Sequence, residues 1–205
     1  MRILFSDSRV AESNLCLEQQ LLADKEEVVL LYVNDRAVVV GRNQTIEAEV
    51  DCIYCREHNI EVVRRQSGGG TVYHDEGNLN YAIICNSPEH PLDTDYTRPI
   101  VWALNRLGVA ATTGSRGEIM VGDAKISGSA SMVRRGRVLF HGTLLFDSDL
   151  EMLDAALRGN TTLQHKGVKS VHSKVCNLKP LLPNIEDMPQ FISAITAALT
   201  EYYAE

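Results

Sequence analysis

A chain of 205 residues with a formal net charge of −7 lacks the basic footprint that nonspecific nucleic-acid binding requires. No apolar run approaches the ~18 residues of a membrane span, and Asp7 comes too early for a secretory leader. With 44% hydrophobic and 23% charged residues, the expected product is a globular cytoplasmic enzyme with one domain over residues 1–205.

Residues 3–5 fit a short first strand, and residues 11–23 a helix with Leu15, Leu21 and Leu22 toward the core. The β-branched runs 28–33 and 37–41, separated by Asn34-Asp35, predict a hairpin. Thr45 is placed to cap a helix in which Ile46, Val50, Ile53 and Tyr54 recur at helical spacing. Cys52 and Cys55 fall inside that pattern. With five cysteines and no second close pair, they read as buried thiols rather than as zinc or redox ligands. Residues 60–64 form a strand into a glycine run, and residues 80–85 the strand that leaves it. Pro88 and Pro91 mark a loop. A helix follows with Ile100, Val101, Leu104 and Leu107 on one face, Pro99 in its first turn and Gly108 at its end. Residues 109–113 form a strand. Residues 119–121 and 124–127 pair across Gly122-Asp123, and 132–134 and 138–146 across Arg135-Gly136. Leu150, Leu153 and Leu157 mark a short helix stopped by Gly159. Phe191, Ile192, Ile195, Ala198, Leu199 and Tyr202 draw the apolar stripe of a last helix. Hairpins with interspersed helices predict an α+β fold with mainly antiparallel sheets.

The chemistry concentrates in Arg64-Arg65-Gln66-Ser67-Gly68-Gly69-Gly70-Thr71-Val72-Tyr73-His74-Asp75-Glu76-Gly77-Asn78-Leu79-Asn80-Tyr81. Glycines let backbone N–H groups approach an anion and adopt positive φ, while arginine forks onto phosphate or carboxylate oxygens. The stretch reads as a loop for an anionic ligand, although it fits neither a Walker A nor a Rossmann spacing. A second feature is acid-free: residues 155–185 hold Arg158, Lys166, Lys169, Lys174 and Lys179 but no Asp or Glu. This is either a solvated basic face or a docking and phosphate-contacting surface.

Arg64 to Tyr81 closely resembles the Arg-Arg-x-Ser-Gly-Gly-Gly-x-Val-Tyr/Phe-His-Asp-x-Gly-Asn-x-Asn signature of lipoate–protein ligases. Gly41-Arg42-Asn43-Gln44, Lys125-Ile126-Ser127-Gly128-Ser129-Ala130, His141-Gly142-Thr143-Leu144 and Ser170-Val171-His172-Ser173-Lys174-Val175-Cys176-Asn177-Leu178 look like the family's other blocks, in the same order. The similarity runs from about Leu4 to Leu182. It implies a biotin/lipoate ligase-like catalytic domain without the accessory domain that often follows it. The implied activity uses ATP and Mg2+ to convert lipoate to lipoyl-AMP, then transfers the lipoyl group to an acceptor lysine. Expected acceptors are lipoyl domains of 2-oxoacid dehydrogenase complexes or the glycine cleavage H protein. Either a separate accessory protein is a further expected partner or the sequence is a truncated one.

By the same resemblance Lys125 is the catalytic cation. Arg65, Gly70, Thr71, Val72, Tyr73, His74, Asn78 and Lys125 would hold ATP or the adenylate. Arg65, Gly69, His74, Lys125, Gly128 and His141 would hold lipoate. Arg64 reads as structural, and Asn78 and Asn80 as either strand-edge hydrogen bonders or ligand contacts. An apolar tunnel for the lipoyl tail is expected among Gly41, Val72, Leu79 and Gly128. Gly122-Asp123 and residues 161–169 are lid candidates. One departure is that Ser115-Arg116-Gly117-Glu118 stands where many relatives carry Arg-Asn-Asp, which leaves the metal ligands unassigned. A cysteine-dependent acyltransferase is the nearest alternative, but no cysteine lies between Cys85 and Cys176. The Gly-Arg-Gly-Arg loop of biotin ligases is absent, and a noncatalytic binding protein would not need the whole set of motifs.

Overall fold

The computed structural model describes residues 1–160, 162–163, 167–171 and 173–204. In chain order its strands are β1 Arg2–Ser6, β2 Val28–Tyr32, β3 Ala37–Val40, β4 Glu61–Arg64, β5 Val72–His74, β6 Asn78–Asn86, β7 Ala111–Thr113, β8 Ile119–Val121, β9 Ala124–Ser127, β10 Ser129–Arg134 and β11 Arg137–Leu145. Its helices are α1 Ala11–Ala23, α2 Ile46–Glu49, α3 Cys52–Glu57, α4 Arg98–Arg106, α5 Leu150–Ala156 and α6 Met188–Ala204. No helix among the described residues is long and apolar enough to cross a membrane.

The main sheet runs β1-β2-β6-β11-β10. Its centre is the antiparallel pair β6 and β11, in register from Asn86 opposite Arg137 to Asn78 opposite Leu145. Only β1 pairs in parallel, with β2. Alternate residues of these strands enter two cores, as the two-residue period of a strand requires. Val29, Leu31, Tyr81 and Ile83 face α4 and α6 through Ile100, Leu104, Phe191 and Ile195. Val28, Leu30, Ala82 and Ile84 face α1 through Leu22. Burying a side chain of this size contributes about 1.5–3 kcal/mol, so these two layers make the sheet a fixed platform. Two smaller sheets, β4-β3-β5 and β7-β8-β9, flank it and carry the functional loops.

The α+β class and most predicted elements are present. The β10–β11 hairpin turns through Arg135 (φ 51°) and Gly136 (φ 75°), both left-handed, as a two-residue turn between twisted strands demands. The hairpin expected across Asn34-Asp35 is not formed. β2 pairs with β1 and β6, whereas β3 pairs with β4 and β5 in another sheet. Every residue of both strands is buried, so each run serves the middle of its own sheet. Asn34 is drawn inward instead, with its side chain bonded to Asn14 and His74.

The helix expected from Thr45 is broken in two at Val50. Asp51 accepts from the Ile53 and Tyr54 amides (3.1 and 2.9 Å) and starts α3 afresh, and Ile53 is left exposed. In α1 the fully inward positions are Asn14 and Glu18 with Ala11 and Leu22, while Leu15 and Leu21 are half-buried. A polar face of that helix therefore points into the protein.

Candidate active site

β4 ends in two arginines whose guanidinium groups fold back onto the chain. Arg64 Nη1 donates to the carbonyls of Gly41 (2.7 Å), Arg42 (3.1 Å) and Gln44 (2.9 Å). Arg65 donates from Nε to Ser67 Oγ (3.0 Å), from Nη1 to Val39 O (3.0 Å), and from Nη2 to Gly68 O (2.7 Å) and Gly70 O (2.6 Å). Burial pushes the Arg65 guanidinium down to about 10, opposed by Glu18 and Tyr32, so it remains a cation at neutral pH. These bonds shape the glycine loop. Gly69 sits at φ +85°, and a Cβ on Gly41 would collide with the Gly69 carbonyl oxygen. Most Arg65 donors are thus spent on the loop itself, leaving one Nη1 N–H for a ligand.

A buried polar chain backs this loop. Tyr32 Oη donates to Glu18 (3.0 Å), the same carboxylate lies 2.8 Å from His141 Nδ1, and His141 Nε2 lies 2.7 Å from Ser67 Oγ. A parallel set reaches His74: the Asn14 amide donates to Asn34 Oδ1 (2.7 Å), and Asn34 Nδ2 donates to His74 Nδ1 (2.9 Å). That bond leaves the His74 proton on Nε2. Burial, reinforced by Arg65 and His141, pushes His74 down to about 3. His74 is therefore a neutral donor and not a general base.

Beside the loop lies a cleft of about 870 Å3. Thr71, Val72 and Tyr73 line one wall, and Lys125, Ser127 and Gly128 the other. Lys125 is fixed through its backbone: its N–H donates to Lys174 O (2.8 Å) and its carbonyl accepts from Cys176 N (3.2 Å). Its side chain reaches over Gly128, where a Cβ would stand 3.2 Å from Nζ. Among the described residues no hydrogen bond or ion pair engages that ammonium. Burial lowers its pKa, Glu118 opposes that shift and Arg116 adds to it. Thr143 holds Gly128 from both sides, accepting its N–H at 3.1 Å and donating to its carbonyl at 3.0 Å. A smaller recess, about 30 Å3, shares Val72, Gly128 and Thr143 with the cleft and is walled by Arg65, His74 and His141.

Several predicted site residues lie elsewhere. Asn78 is fully buried, donates to Asn80 Oδ1 (2.9 Å) and lines neither space. Leu79 belongs to the core, and Gly41 is packed under Gly69, so neither walls a tail tunnel. Gly69 and Gly70 shape the loop, with Gly70 against Ser170. The Thr71 N–H is already given to Ser170 Oγ (2.9 Å). Gln44, Ser170, Thr143 and Glu18 were missed as site builders. The first three stood unassigned in the quoted motifs. Gln44 accepts from Gly41 N and Thr71 Oγ1 (both 2.9 Å) and donates to Val168 O (2.9 Å).

No cysteine lines the cleft, and burial pushes the Cys176 thiol up, away from a nucleophilic thiolate. The Gly122-Asp123 turn is tied to Lys174 by an ion pair at 2.9 Å. Thr161, Gln164 to Lys166 and His172 lie outside the described residues. No group of three His, Cys, Asp or Glu fit to hold a metal occurs among the described residues.

This α+β domain sets a lysine with no hydrogen-bond or ion-pair partner among the described residues beside an arginine-braced glycine loop, an arrangement suited to handling an anion. The family model of the lipoyl protein ligase A/B catalytic domain matches residues 11–200, and the chain belongs to that family. It is 41% identical over 184 residues to lipoate–protein ligase 1 of Staphylococcus aureus and 37% identical over 186 residues to lipoate-protein ligase LplJ of Bacillus subtilis. Those matches cover 87% and 88% of this chain and 56% of each relative, so the chain spans about half their length.

Among solved structures, lipoate-protein ligase A bound with ATP superposes with a TM-score of 0.80 at 27% identity, covering 98% of this chain and 84% of that one. Plasmodium falciparum LipL1 in complex with lipoate gives 0.83 at 26%, covering 99% and 62%. A bipartite lipoate protein ligase from Thermoplasma acidophilum, solved in a study that includes its E2 lipoyl domain, gives 0.78 at 25%, covering 98% and 82%.

Proposed function

We propose that this chain is the catalytic domain of a lipoate–protein ligase: it binds lipoyl-AMP and transfers the lipoyl group to an acceptor lysine. The observation that carries the reading is Lys125, a half-buried ammonium with no hydrogen-bond or ion-pair partner among the described residues, aimed across Gly128 into the cleft. Holding a desolvated cation unpaired costs stability, which a site tolerates when an anion is to complete it. The relatives and the lipoate- and ATP-bound neighbours favour lipoate and ATP as its ligands.

In the first half-reaction a lipoate carboxylate oxygen attacks the α-phosphorus of ATP and pyrophosphate leaves. In the second, the acceptor lysine amine attacks the acyl carbon, AMP leaves with the bonding electrons, and the amine proton passes to solvent or phosphate. Negative charge develops where carboxylate and phosphate meet, and Lys125 is positioned to stabilise it. The neutral His74 serves as a hydrogen-bond donor. The lipoyl tail enters the recess behind Val72 and Gly128, which must open to admit it. The described residues supply no three-ligand metal cage. Any Mg2+ would accompany the nucleotide on phosphate oxygens and water.

The acceptor is a lipoyl domain, in keeping with the Thermoplasma system, and a separate accessory protein is its second partner. Lipoate-dependent exchange of pyrophosphate into ATP tests the first half-reaction. Exchange that needs lipoate, with or without an added accessory domain, supports the ligase reading. Thioester trapping on a cysteine would replace that reading with acyl transfer.

A further inference from the structure

Glu18 lies far from Lys125 in sequence and was not singled out by any motif. It is 1% exposed, and its carboxylate receives two side chains from the main sheet, Tyr32 of β2 and His141 of β11. The directions of the bonds follow from that carboxylate. Beside a carboxylate that accepts, a neutral His141 ring carries its proton on Nδ1. Nε2 is then an acceptor, and the Ser67 hydroxyl must donate to it at 2.7 Å. Ser67 Oγ in turn accepts from Arg65 Nε at 3.0 Å. Arg65 gives three further donors to the carbonyls of Val39, Gly68 and Gly70. In that tautomer every link has a single sense, from guanidinium to carboxylate, and every member is less than a tenth exposed.

We infer that Glu18 is a positioning residue: through His141 and Ser67 it fixes the tautomer, the hydroxyl direction and the guanidinium that together hold the glycine loop against the ligand. The inference rests on the functional reading above for the loop's role in turnover, but the relay itself does not. Two buried opposite charges, Glu18 and Arg65, compensate one another through two neutral hydrogen-bonding groups. Without the carboxylate, His141 has no reason to keep its proton on Nδ1, and Ser67 loses its fixed acceptor. Arg65 can then swing away from Gly70. The loop that faces the cleft at Thr71 and Val72 loses its brace, although no group touching the ligand has changed.

The test uses the 205-residue chain, Glu18→Gln and Glu18→Leu. The ring-nitrogen NMR shifts of His141 report its tautomer. Transfer from supplied lipoyl-adenylate to an apo lipoyl domain reports turnover. In the parent, His141 is expected to be protonated at Nδ1 and unprotonated at Nε2. Glu18→Gln keeps an acceptor oxygen toward His141 and is expected to retain that tautomer and at least a third of parent kcat. Glu18→Leu is expected to lose the tautomer preference and at least tenfold in kcat, with KM for the acceptor domain unchanged because a buried Glu18 offers an acceptor no contact. A parent His141 protonated at Nε2, or a folded Glu18→Leu with parent kcat, overturns the inference. If Glu18→Leu does not fold, Ser67→Ala decides: the same kcat loss at unchanged acceptor KM upholds the relay, and parent kcat overturns it. A parent without any lipoate-dependent turnover would instead overturn the ligase reading, and the His141 shifts would still decide the relay.

Discussion

The glycine loop beside the cleft and the strand that carries Lys125 into it use their cations in opposite ways. On the glycine-loop side, Arg64 and Arg65 give their N–H groups to six backbone carbonyls and one serine hydroxyl. On the strand, Lys125 gives its ammonium to nothing among the described residues, while its backbone is held on both sides. The arginines are part of the architecture, and on the proposed function the lysine is the charge kept ready for a ligand. A planar five-donor fork suits the first task because it can satisfy several carbonyls at once. A compact ammonium on a flexible stem suits the second.

Removing the lysine should therefore affect chemistry and removing the arginine should affect folding. The largest effect is expected at Lys125→Met: lipoyl transfer falls at least about a hundredfold, the scale of losing one preorganised charge-stabilising donor. The melting temperature stays the same or rises, because a desolvated charge is gone. A gel-shift transfer assay run beside a thermal melt checks both. A melt that falls by many degrees would place Lys125 with the arginines.

Arg65→Met is expected to be the mirror image. It strands the Val39, Gly68 and Gly70 carbonyls and leaves the Glu18 carboxylate without its counter-charge. Leaving a buried acceptor unsatisfied costs about 1–3 kcal/mol, so a clear loss of stability is expected, to be read by urea denaturation. A stability within error of the parent would mean that the loop holds itself.

A smaller effect separates His74 from both. Its folded pKa of about 3 lies below the ordinary histidine value, so between those two values the unfolded chain binds a proton that the folded chain does not. Stability from this group is complete above about pH 6.5 and is lost as pH falls toward about 3. From pH 7 to pH 5 the loss is about 2 kcal/mol. Denaturant curves at the two pH values should show this loss in the parent and not in His74→Gln. Equal losses in both chains would mean that His74 titrates normally.

Much of this contrast was legible in the sequence. Arg64 and Arg65 before three glycines, and Lys125 between small residues, marked the loop and the cleft beside it. The helical stripe of α6 and the turn residues Gly122-Asp123 and Arg135-Gly136 placed their elements correctly. What escaped was the work of polar groups inside. Glu18 and Asn14 sit on α1 where a helical pattern assigns polar residues to water, and only their partners on β2, β11 and the Asn34 turn reveal why they face inward. The β2–β3 hairpin failed for a related reason. Asn34 looks like turn chemistry but is spent on His74, and two continuous β-branched runs can each be central in different sheets. Asn78 bonds along its own strand to Asn80, the first of the two readings its motif position left open, because a motif does not say which face of a strand a side chain leaves from.

The most direct measurement is the mass of an apo lipoyl domain after incubation with lipoyl-adenylate and this chain, beside Lys125→Met and a blank without protein. The account predicts addition of one lipoyl group at a single lysine, fast with the parent and at the blank rate with Lys125→Met. It also predicts that the parent makes this product faster from adenylate than from ATP plus lipoate. Modification by the parent no faster than by Lys125→Met or the blank would contradict the assignment of this cleft to lipoyl transfer.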